Sequence, residues 1–446
     1  MRSPWTRRCA VVAAAVLLAA AVALIEFRSP VDPLTVALGI LALTALFLTP
    51  SRFLPGLAAL LWHGLNISSL EGAILGRVLL PELILIVWLI RELPRIRRPH
   101  LDVAPSFLLL ALGWTGVACH LAGIPWTPLV HLVLLAVMLI ALRNGARLDV
   151  RFFTLCLIAL ASFDAIRTFT SIGARLYGND PAQLGFIALA AWIFTLGQRR
   201  GLRLILVQAF LLSIVLMTQT RSVYLALAIV IVLVGAPRLS KTSMVAAYLM
   251  VLAAGYYVLD DINRTLNLST NSVVLRTTSI SAALDLVRNH PLMGIGWADP
   301  SSDALSGLTT QGFSVYNVVL AFGVYGGIPA AVFFVLFLAK SFGDARHYQP
   351  AFLVAAAFLA QGTVEMNFFP GTAITFILIV ALGSVTQRGE QESAEVRTDD
   401  AYRPAQVATS PRSFSRRNRG RTIPTQTLRA RPTAGSQPTS RVHHEP

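Results

Sequence analysis

Residues 202–234 read LRLILVQAFLLSIVLM–TQT–RSVYLALAIVIVLV, two apolar runs joined by the short polar segment 218–220. Apart from Arg203 and Arg221, neither run carries a charged side chain. Each run approaches the ~20 apolar residues that a helix needs to cross a bilayer. This stretch therefore predicts a hairpin of two membrane-spanning helices.

The same pattern extends along most of the 446 residues, of which 55% are apolar and 13% charged. Soluble domains carry about 25% charged residues, so most of this chain is expected to lie in lipid. The fold class predicted is all-α, a polytopic bundle of about twelve to fourteen transmembrane helices. The apolar runs are residues 10–25, 34–49, 54–65, 73–90, 104–121, 127–142, 152–170, 182–196, 202–217, 222–234, 243–259, 315–339, 351–362 and 372–385. The run 54–65 is short, and twelve or thirteen spans with one re-entrant or interfacial piece is the alternative.

Basic residues fall in alternate loops, as the positive-inside rule describes for cytoplasmic loops. This alternation predicts that both termini are cytoplasmic. The first apolar run ends in Ile25-Glu26-Phe27-Arg28 and lacks a small-x-small cleavage site, which favours an uncleaved anchor over a secretory signal. The basic loops contain Arg2, Arg7 and Arg8; Arg52; Arg91, Arg95, Arg97 and Arg98; Arg143, Arg147 and Arg151; Arg199, Arg200 and Arg203; Arg238 and Lys241; and Lys340 and Arg346.

The formal net charge of +15 is concentrated in the C-terminal tail. Nine arginines and one acid, Glu445, lie between Arg403 and Pro446. This tail is rich in Pro, Ser, Thr, Gln and Gly, which predicts a disordered segment held near anionic lipid headgroups. It lacks the interleaved aromatic residues of a nucleic-acid surface, so nucleic acid is not an expected partner.

Four regions follow from these patterns: N-terminal transmembrane helices over 1–259, a large extracytoplasmic loop over 260–314, C-terminal transmembrane helices over 315–387 and the tail over 388–446. The loop 260–314 is too polar to span a membrane and too long for a simple connection, which is typical of a functional loop. Three scattered cysteines and widely spaced aspartates predict no disulfide framework, metal site or cofactor.

Several arginines occur on the outer side, where they are expected to be scarce. They include Arg175, Arg221, Arg276 and Arg288. A planar guanidinium matches phosphate oxygens bidentately, and a lipid-linked diphosphate carries its phosphates at headgroup depth. These residues are therefore candidates to bind a diphosphate and to stabilise a departing pyrophosphate without a metal.

Three motifs in this half of the chain occur together. Thr218-Gln219-Thr220-Arg221-Ser222 opens an apolar helix; Arg276, then Ala282-Ala283-Leu284, precede Asn289-His290-Pro291-Leu292-Met293-Gly294-Ile295-Gly296-Trp297; and Tyr316-Asn317-Val318-Val319-Leu320 precedes Gly326-Gly327-Ile328. Arg175 followed by Asn179-Asp180-Pro181 is a fainter fourth match. In these motifs the chain resembles the O-antigen ligase and polysaccharide polymerase (Wzy-type) superfamily, bacterial membrane glycosyltransferases that act on undecaprenyl-diphosphate glycans.

The resemblance implies that outer-face arginines bind the donor diphosphate and that the His of a His-Asn motif assists attack by an acceptor hydroxyl. Here that position is Tyr316. A phenol, with a reference pKa near 10, is a poor general base at neutral pH. Either His290 or Glu365 replaces it, or this branch works without a base, or the protein is not a transferase.

The resemblance implies a lipid-linked oligosaccharide donor, a glycan or lipid acceptor, and a multi-pass protein of the plasma (inner) membrane. Two alternatives stay open: a transporter or flippase for a lipid-linked saccharide, and a family member that has lost catalysis with the His. A carrier needs polar groups at mid-membrane in several helices. Arg77 and Glu82, which share one span, are the clearest mid-span charges.

Overall fold

The computed structural model of the chain describes residues 46–64, 74–96, 102–124, 127–169, 181–196, 198, 201–235, 271–297, 315, 317–363 and 373–385. Within these ranges, side chains are described except for residues 61–64, 74–80, 127–128, 167–169 and 271–278. All of these residues belong to one compact unit, Met1–Ser393. The tail and about half of the loop 260–314 lie outside the described residues.

The described part of the chain is helical and contains no strand. Two single 3₁₀ turns, Ser51–Phe53 and Leu93–Arg95, flank the first two long helices. In chain order the helices are α1 (Leu54–Gly64), α2 (Ile74–Glu92), α3 (Val103–Leu121), α4 (Thr127–Arg143), α5 (Val150–Phe169), α6 (Pro181–Leu196), α7 (Leu202–Met217), α8 (Arg221–Gly235), α9 (Asn271–Asn289), α10 (Val318–Ala345), α11 (Gln349–Gly362) and α12 (Ala373–Val385).

Two of these described helices, α3 and α10, are long and apolar enough to cross a membrane. Shorter apolar helices make up all or most of α4, α6, α7, α8, α11 and α12. The predicted all-α fold is confirmed for the described residues. The number of spans and the extent of the outer loop stay predictions.

Eight helices pack side by side in a closed ring, in the order α1, α2, α4, α3, α10, α11, α6, α5 and back to α1. Within this ring α3 and α10 form the most extensive pair, and α8 packs outside the ring against α11 and α6. Connections of ten residues or fewer join α2 to α3, α3 to α4, α4 to α5, α6 to α7, α7 to α8 and α10 to α11, so the two helices of each of these pairs are expected to run in opposite directions.

Helix α12 lies inside this ring. Every residue from Ala373 to Ser384 is buried, as expected of a helix that is apolar all round. The ring of Phe376 lies 6.0 Å from that of Phe153 on α5. At the other end of α12, a Cβ on Gly383 would lie 2.5 Å from Leu142 Cδ1 on α4. Because α1 and α2 separate α4 from α5 in the ring, a helix that contacts both is central.

One end of the ring is joined by a fully buried carboxylate. Glu92, at the end of α2, accepts hydrogen bonds from the Ser51 hydroxyl and the Arg95 guanidinium. It also accepts the backbone N–H of Arg147 at 2.9 Å. These contacts hold the start of α1, the end of α2 and the α4–α5 connection together.

A second ionic group lies at the same end, where α3 begins and α4 and α10 end. Arg143 Nη1 lies 2.9 Å from Asp344 Oδ2 and 3.3 Å from Asp102 Oδ2, and Lys340 Nζ lies 2.7 Å from Asp344 Oδ1. We call this the basic end, defined by Arg52, Arg91, Arg95, Arg143, Arg147 and Lys340. Loops that the sequence assigns to one side of the membrane thus meet at one end of the bundle.

Candidate functional site

The opposite end, which we call the motif end, contains the turn 218–220 and the start of α8. Gln219 has φ of 48°, a left-handed conformation that is uncommon for a residue other than glycine. The carbonyl of Thr220 then accepts the N–H groups of Val223 and Tyr224 at 3.1 and 3.0 Å. Arg221 is therefore the first residue of α8, and it is half-buried.

The start of α6 packs directly on this turn. A Cβ on Gly185 would lie 2.9 Å from Val223 Cγ1 and 3.0 Å from Thr218 Oγ1, so the close approach requires glycine. Gln361, in the last turn of α11, donates from Nε2 to the carbonyl of Ala182 at 3.2 Å. The first turns of α6 and α8 and the last turn of α11 thus meet.

Asn317 caps the start of α10. Its Oδ1 accepts the N–H groups of Val319 and Leu320 at 3.0 and 2.9 Å, which satisfies two donors of the first turn. Its Nδ2 donates to the carbonyl of Thr363, just past α11, at 3.4 Å. The Asn of the sequence motif thus joins the start of α10 to the end of α11.

Three helix N-termini, those of α6, α8 and α10, therefore lie around the C-terminus of α11. A helix N-terminus carries a partial positive charge and N–H groups directed at an anion. Arg221 is the first residue of α8, so the motif end also carries a cationic side chain, and both features favour a negatively charged ligand.

The motif that follows α9 fills a break in α10. Helix α10 is interrupted at Gly327, where φ is 75°. The N–H groups of Ile295 and Gly296 bond to the carbonyls of Val324 and Tyr325 at 2.9 and 3.0 Å, and Ile328 N–H bonds to the carbonyl of Pro291 at 2.7 Å. Segment 291–297 thus replaces the helical hydrogen bonds that the break removes, as lipid-embedded backbone requires.

The glycines of this motif allow backbone to touch backbone. A Cβ on Gly294, whose φ is 61°, would lie 2.4 Å from the carbonyl oxygen of Val324. A Cβ on Gly327 would lie 2.5 Å from the carbonyl oxygen of Leu292. Trp297 is buried, with its ring 4.8 Å from that of Tyr325. The structural interpretation of these glycines, tight turns and close helix approach, is thereby supported.

The structure describes some of the predicted site residues and not others. Arg288 is exposed and lies 3.3 Å from Asp285, and His290 is exposed where α9 ends. Arg276 lies within α9, with its side chain outside the described residues. Arg175, Tyr316 and Glu365 also lie outside the described residues.

A polar pair that the sequence did not predict joins α2 to α4. Nδ1 of His131 lies 2.9 Å from Oε1 of Glu82, and the two side chains are 13% and 9% exposed. The sequence singled out Glu82 as a mid-span charge with Arg77 in the same helix, and the structure shows a partner on another helix. The sequence did show a carboxylate, Glu82, within an apolar run, which is unusual in a membrane helix. The run alone could not show that its partner is His131.

Among the described residues, no group of three or more His, Cys, Asp and Glu side chains could hold a metal ion. The expected independence from metals and cofactors stays a prediction. What the described part of the site offers is cationic and hydrogen-bonding groups.

An all-helical bundle with long apolar helices is the architecture expected of a helical membrane protein. Residues 206–335 match the family described as O-antigen ligase, from within α7 to within α10. The match includes the turn 218–220, segment 291–297 and Asn317, so the resemblance seen in the sequence is confirmed over these residues. The family consists of integral membrane proteins. Comparison with curated proteins and comparison with solved structures each gave no match.

Proposed function

We propose that this protein is a membrane glycosyltransferase of the O-antigen ligase and polymerase type. It transfers glycan from a polyprenyl-diphosphate donor to a glycan or lipid acceptor at the outer face of the plasma membrane. One observation carries the proposal: Arg221 and the N-termini of α6, α8 and α10 meet at the end of the bundle opposite the basic end.

The orientation follows from the positions of the basic side chains. Cytoplasmic loops retain Lys and Arg, so the basic end faces the cytoplasm and both termini lie there. The motif end then faces outward, at the depth of the outer-leaflet headgroups. A nucleotide-linked donor would be on the wrong side of the membrane for this site, whereas the diphosphate of a lipid-linked donor is at the right depth.

The chemistry proposed is electrostatic. When the bond between the anomeric carbon and the diphosphate breaks, negative charge develops on the leaving oxygen. The Arg221 side chain and the helix N-termini stabilise that charge, and the fold fixes the helix N-termini before the reaction begins. Arg175, Arg276 and Arg288 are proposed to contribute further positive charge from the adjoining segments.

The acceptor hydroxyl loses a proton as it attacks. His290, exposed directly before segment 291–297, and Glu365 are the candidate general bases, and Tyr316 is the candidate to orient the acceptor by a hydrogen bond. Replacing Tyr316 by Phe and by His tests this position. If both variants transfer glycan at the wild-type rate, Tyr316 has no part in the site.

The central test uses the purified protein in liposomes with a polyprenyl-diphosphate oligosaccharide and an acceptor glycan. The Arg221→Ala variant is expected to lose about 100-fold or more in kcat/KM, as when one oxyanion-stabilising group is removed. Arg203→Ala is the matched control, because Arg203 is exposed at the opposite end of α7. Movement of the donor across the bilayer without transfer would instead support the flippase alternative.

A further inference from the structure

Two buried polar atoms, one in the first turn of α8 and one in the last turn of α11, have no hydrogen-bond partner within the part of the chain that the structure describes. They are the hydroxyl of Ser222 and Oε1 of Gln361. Ser222 is 1% exposed and Gln361 is 0% exposed. Buried polar atoms are normally paired, so two such atoms near the candidate site indicate a missing partner.

Both atoms lie near the meeting point of α6, α8 and α11. Ser222 follows Arg221 in the first turn of α8, and Gln361 is in the last turn of α11, a helix against which α8 packs extensively. The orientation of the Gln361 amide is determined because its Nε2 donates to the carbonyl of Ala182 in α6. Oε1 of Gln361 is therefore the amide atom that lacks a partner among the described residues, and this oxygen can only accept a hydrogen bond.

The chemistry of these two atoms restricts the partner. A group bound to Gln361 Oε1 must donate a hydrogen bond, which an ionised phosphate oxygen cannot do. A hydroxyl can donate to Gln361 and also exchange a hydrogen bond with the Ser222 hydroxyl. The neighbouring Arg221 and helix N-termini favour an anion, so the ligand carries a hydroxyl close to an anionic group.

We propose that Ser222 and Gln361 form a subsite for a sugar hydroxyl next to the diphosphate site. The inference rests on the proposed function and adds to it the recognition of the sugar itself. Two sugars have this chemistry, the residue attached to the donor diphosphate and the acceptor residue that approaches it. Both are tested.

Ser222→Ala is the informative variant, because it removes a hydroxyl that has no hydrogen-bond partner among the described residues. A purely structural role therefore predicts equal or slightly higher thermal stability and unchanged binding. The subsite predicts about 10-fold weaker binding of a short-chain polyprenyl-diphosphate sugar, the effect of about one hydrogen bond. Binding of the same polyprenyl diphosphate without a sugar is expected to stay unchanged in Ser222→Ala and to weaken in Arg221→Ala.

Ser341→Ala is the matched control, since Ser341 is also a buried serine with an unpaired hydroxyl among the described residues, but in the part of α10 near the basic end. It is expected to bind both probes as the wild type does. Gln361→Met removes the acceptor from the second side of the subsite and is expected to weaken binding of the sugar probe by a similar factor.

Transfer assays with Ser222→Ala then distinguish the two sugars. If only the KM for the donor is higher than in the wild type, the subsite binds the donor sugar. If only the KM for the acceptor is higher, the subsite binds the acceptor sugar. Equal affinity of wild type and Ser222→Ala for the sugar probe, together with an unchanged KM for both substrates, overturns the subsite but not the proposed function. Binding of the sugar probe that depends on Ser222, without any transfer, supports the subsite and overturns the transferase.

Discussion

The two ends of the bundle are held together by different kinds of bond. At the basic end, side-chain charges join the helices through Glu92 and Arg143. At the motif end, the uncharged side chain of Asn317 and the backbone groups of segment 291–297 join them. The basic end thus uses its charges for structure, whereas the contacts named at the motif end are made by uncharged groups.

The largest expected effect is at the break in α10. Gly327→Ala places a Cβ against the backbone of Leu292 at a φ of 75°, so both the break and segment 291–297 must move. We expect a loss of about 3 kcal/mol or more in the free energy of unfolding, measured by thermal or denaturant unfolding in detergent. Gly343→Ala in the same helix is the control, because no atom lies within 4 Å of its Cβ; equal loss in both variants contradicts the proposed role of the break.

The second-largest loss of stability is expected at the basic end. Glu92→Ala removes a buried carboxylate and leaves the Arg147 N–H and Ser51 hydroxyl without their acceptor. Breaking a buried pair of this kind costs about 3 kcal/mol, and we expect unfolding at a correspondingly lower temperature. Transfer activity per folded molecule is expected to be unchanged, and a selective loss of kcat would contradict the separation between the two ends.

A smaller effect is expected from Asn317→Ala at the motif end. Loss of a helix N-cap costs about 1 kcal/mol, and the α10–α11 contact through Thr363 is also lost. Because Asn317 follows the candidate residue Tyr316 in the sequence, activity is expected to fall more than stability does. Asn317→Asp keeps the capping acceptor, so recovery of stability without activity would assign the activity loss to the contact with Thr363.

The smallest effect on stability is expected from Arg288→Ala. Arg288 pairs with Asp285 at an exposed position, where ion pairs contribute little. We expect unfolding within experimental error of the wild type. If Arg288 binds the donor diphosphate, binding of the polyprenyl-diphosphate probe weakens all the same, and unchanged binding removes Arg288 from the proposed site.

Local sequence patterns predicted much of this protein. Hydropathy predicted helices that the structure describes, such as α3 and α10, because lipid tolerates only backbone whose hydrogen bonds are satisfied. The spacing of basic loops predicted which helix ends lie together. The motif around Arg221 was also visible, because an arginine in a short turn between apolar runs is unusual at that depth.

Other features required the tertiary structure. Helices α7 and α12 are both apolar in sequence, yet α7 leaves Ile205, Leu206 and Phe210 exposed while α12 is buried at the centre of the ring. Composition cannot distinguish them, because a side chain suited to lipid is equally suited to a protein core. The Glu82–His131 pair and the proximity of Gln361 to α6 join helices distant in sequence, and no local pattern encodes such contacts.

The sequence by itself thus determined the helical membrane class, the grouping of the basic loops and the arginine at the start of α8. Only the tertiary structure decided that α12 is central, that segment 291–297 repairs a break in α10, and that Ser222 and Gln361 lie near one meeting point of three helices. The physical reason is that hydropathy and charge act residue by residue along the chain. Hydrogen-bond satisfaction and close packing depend instead on which helices meet.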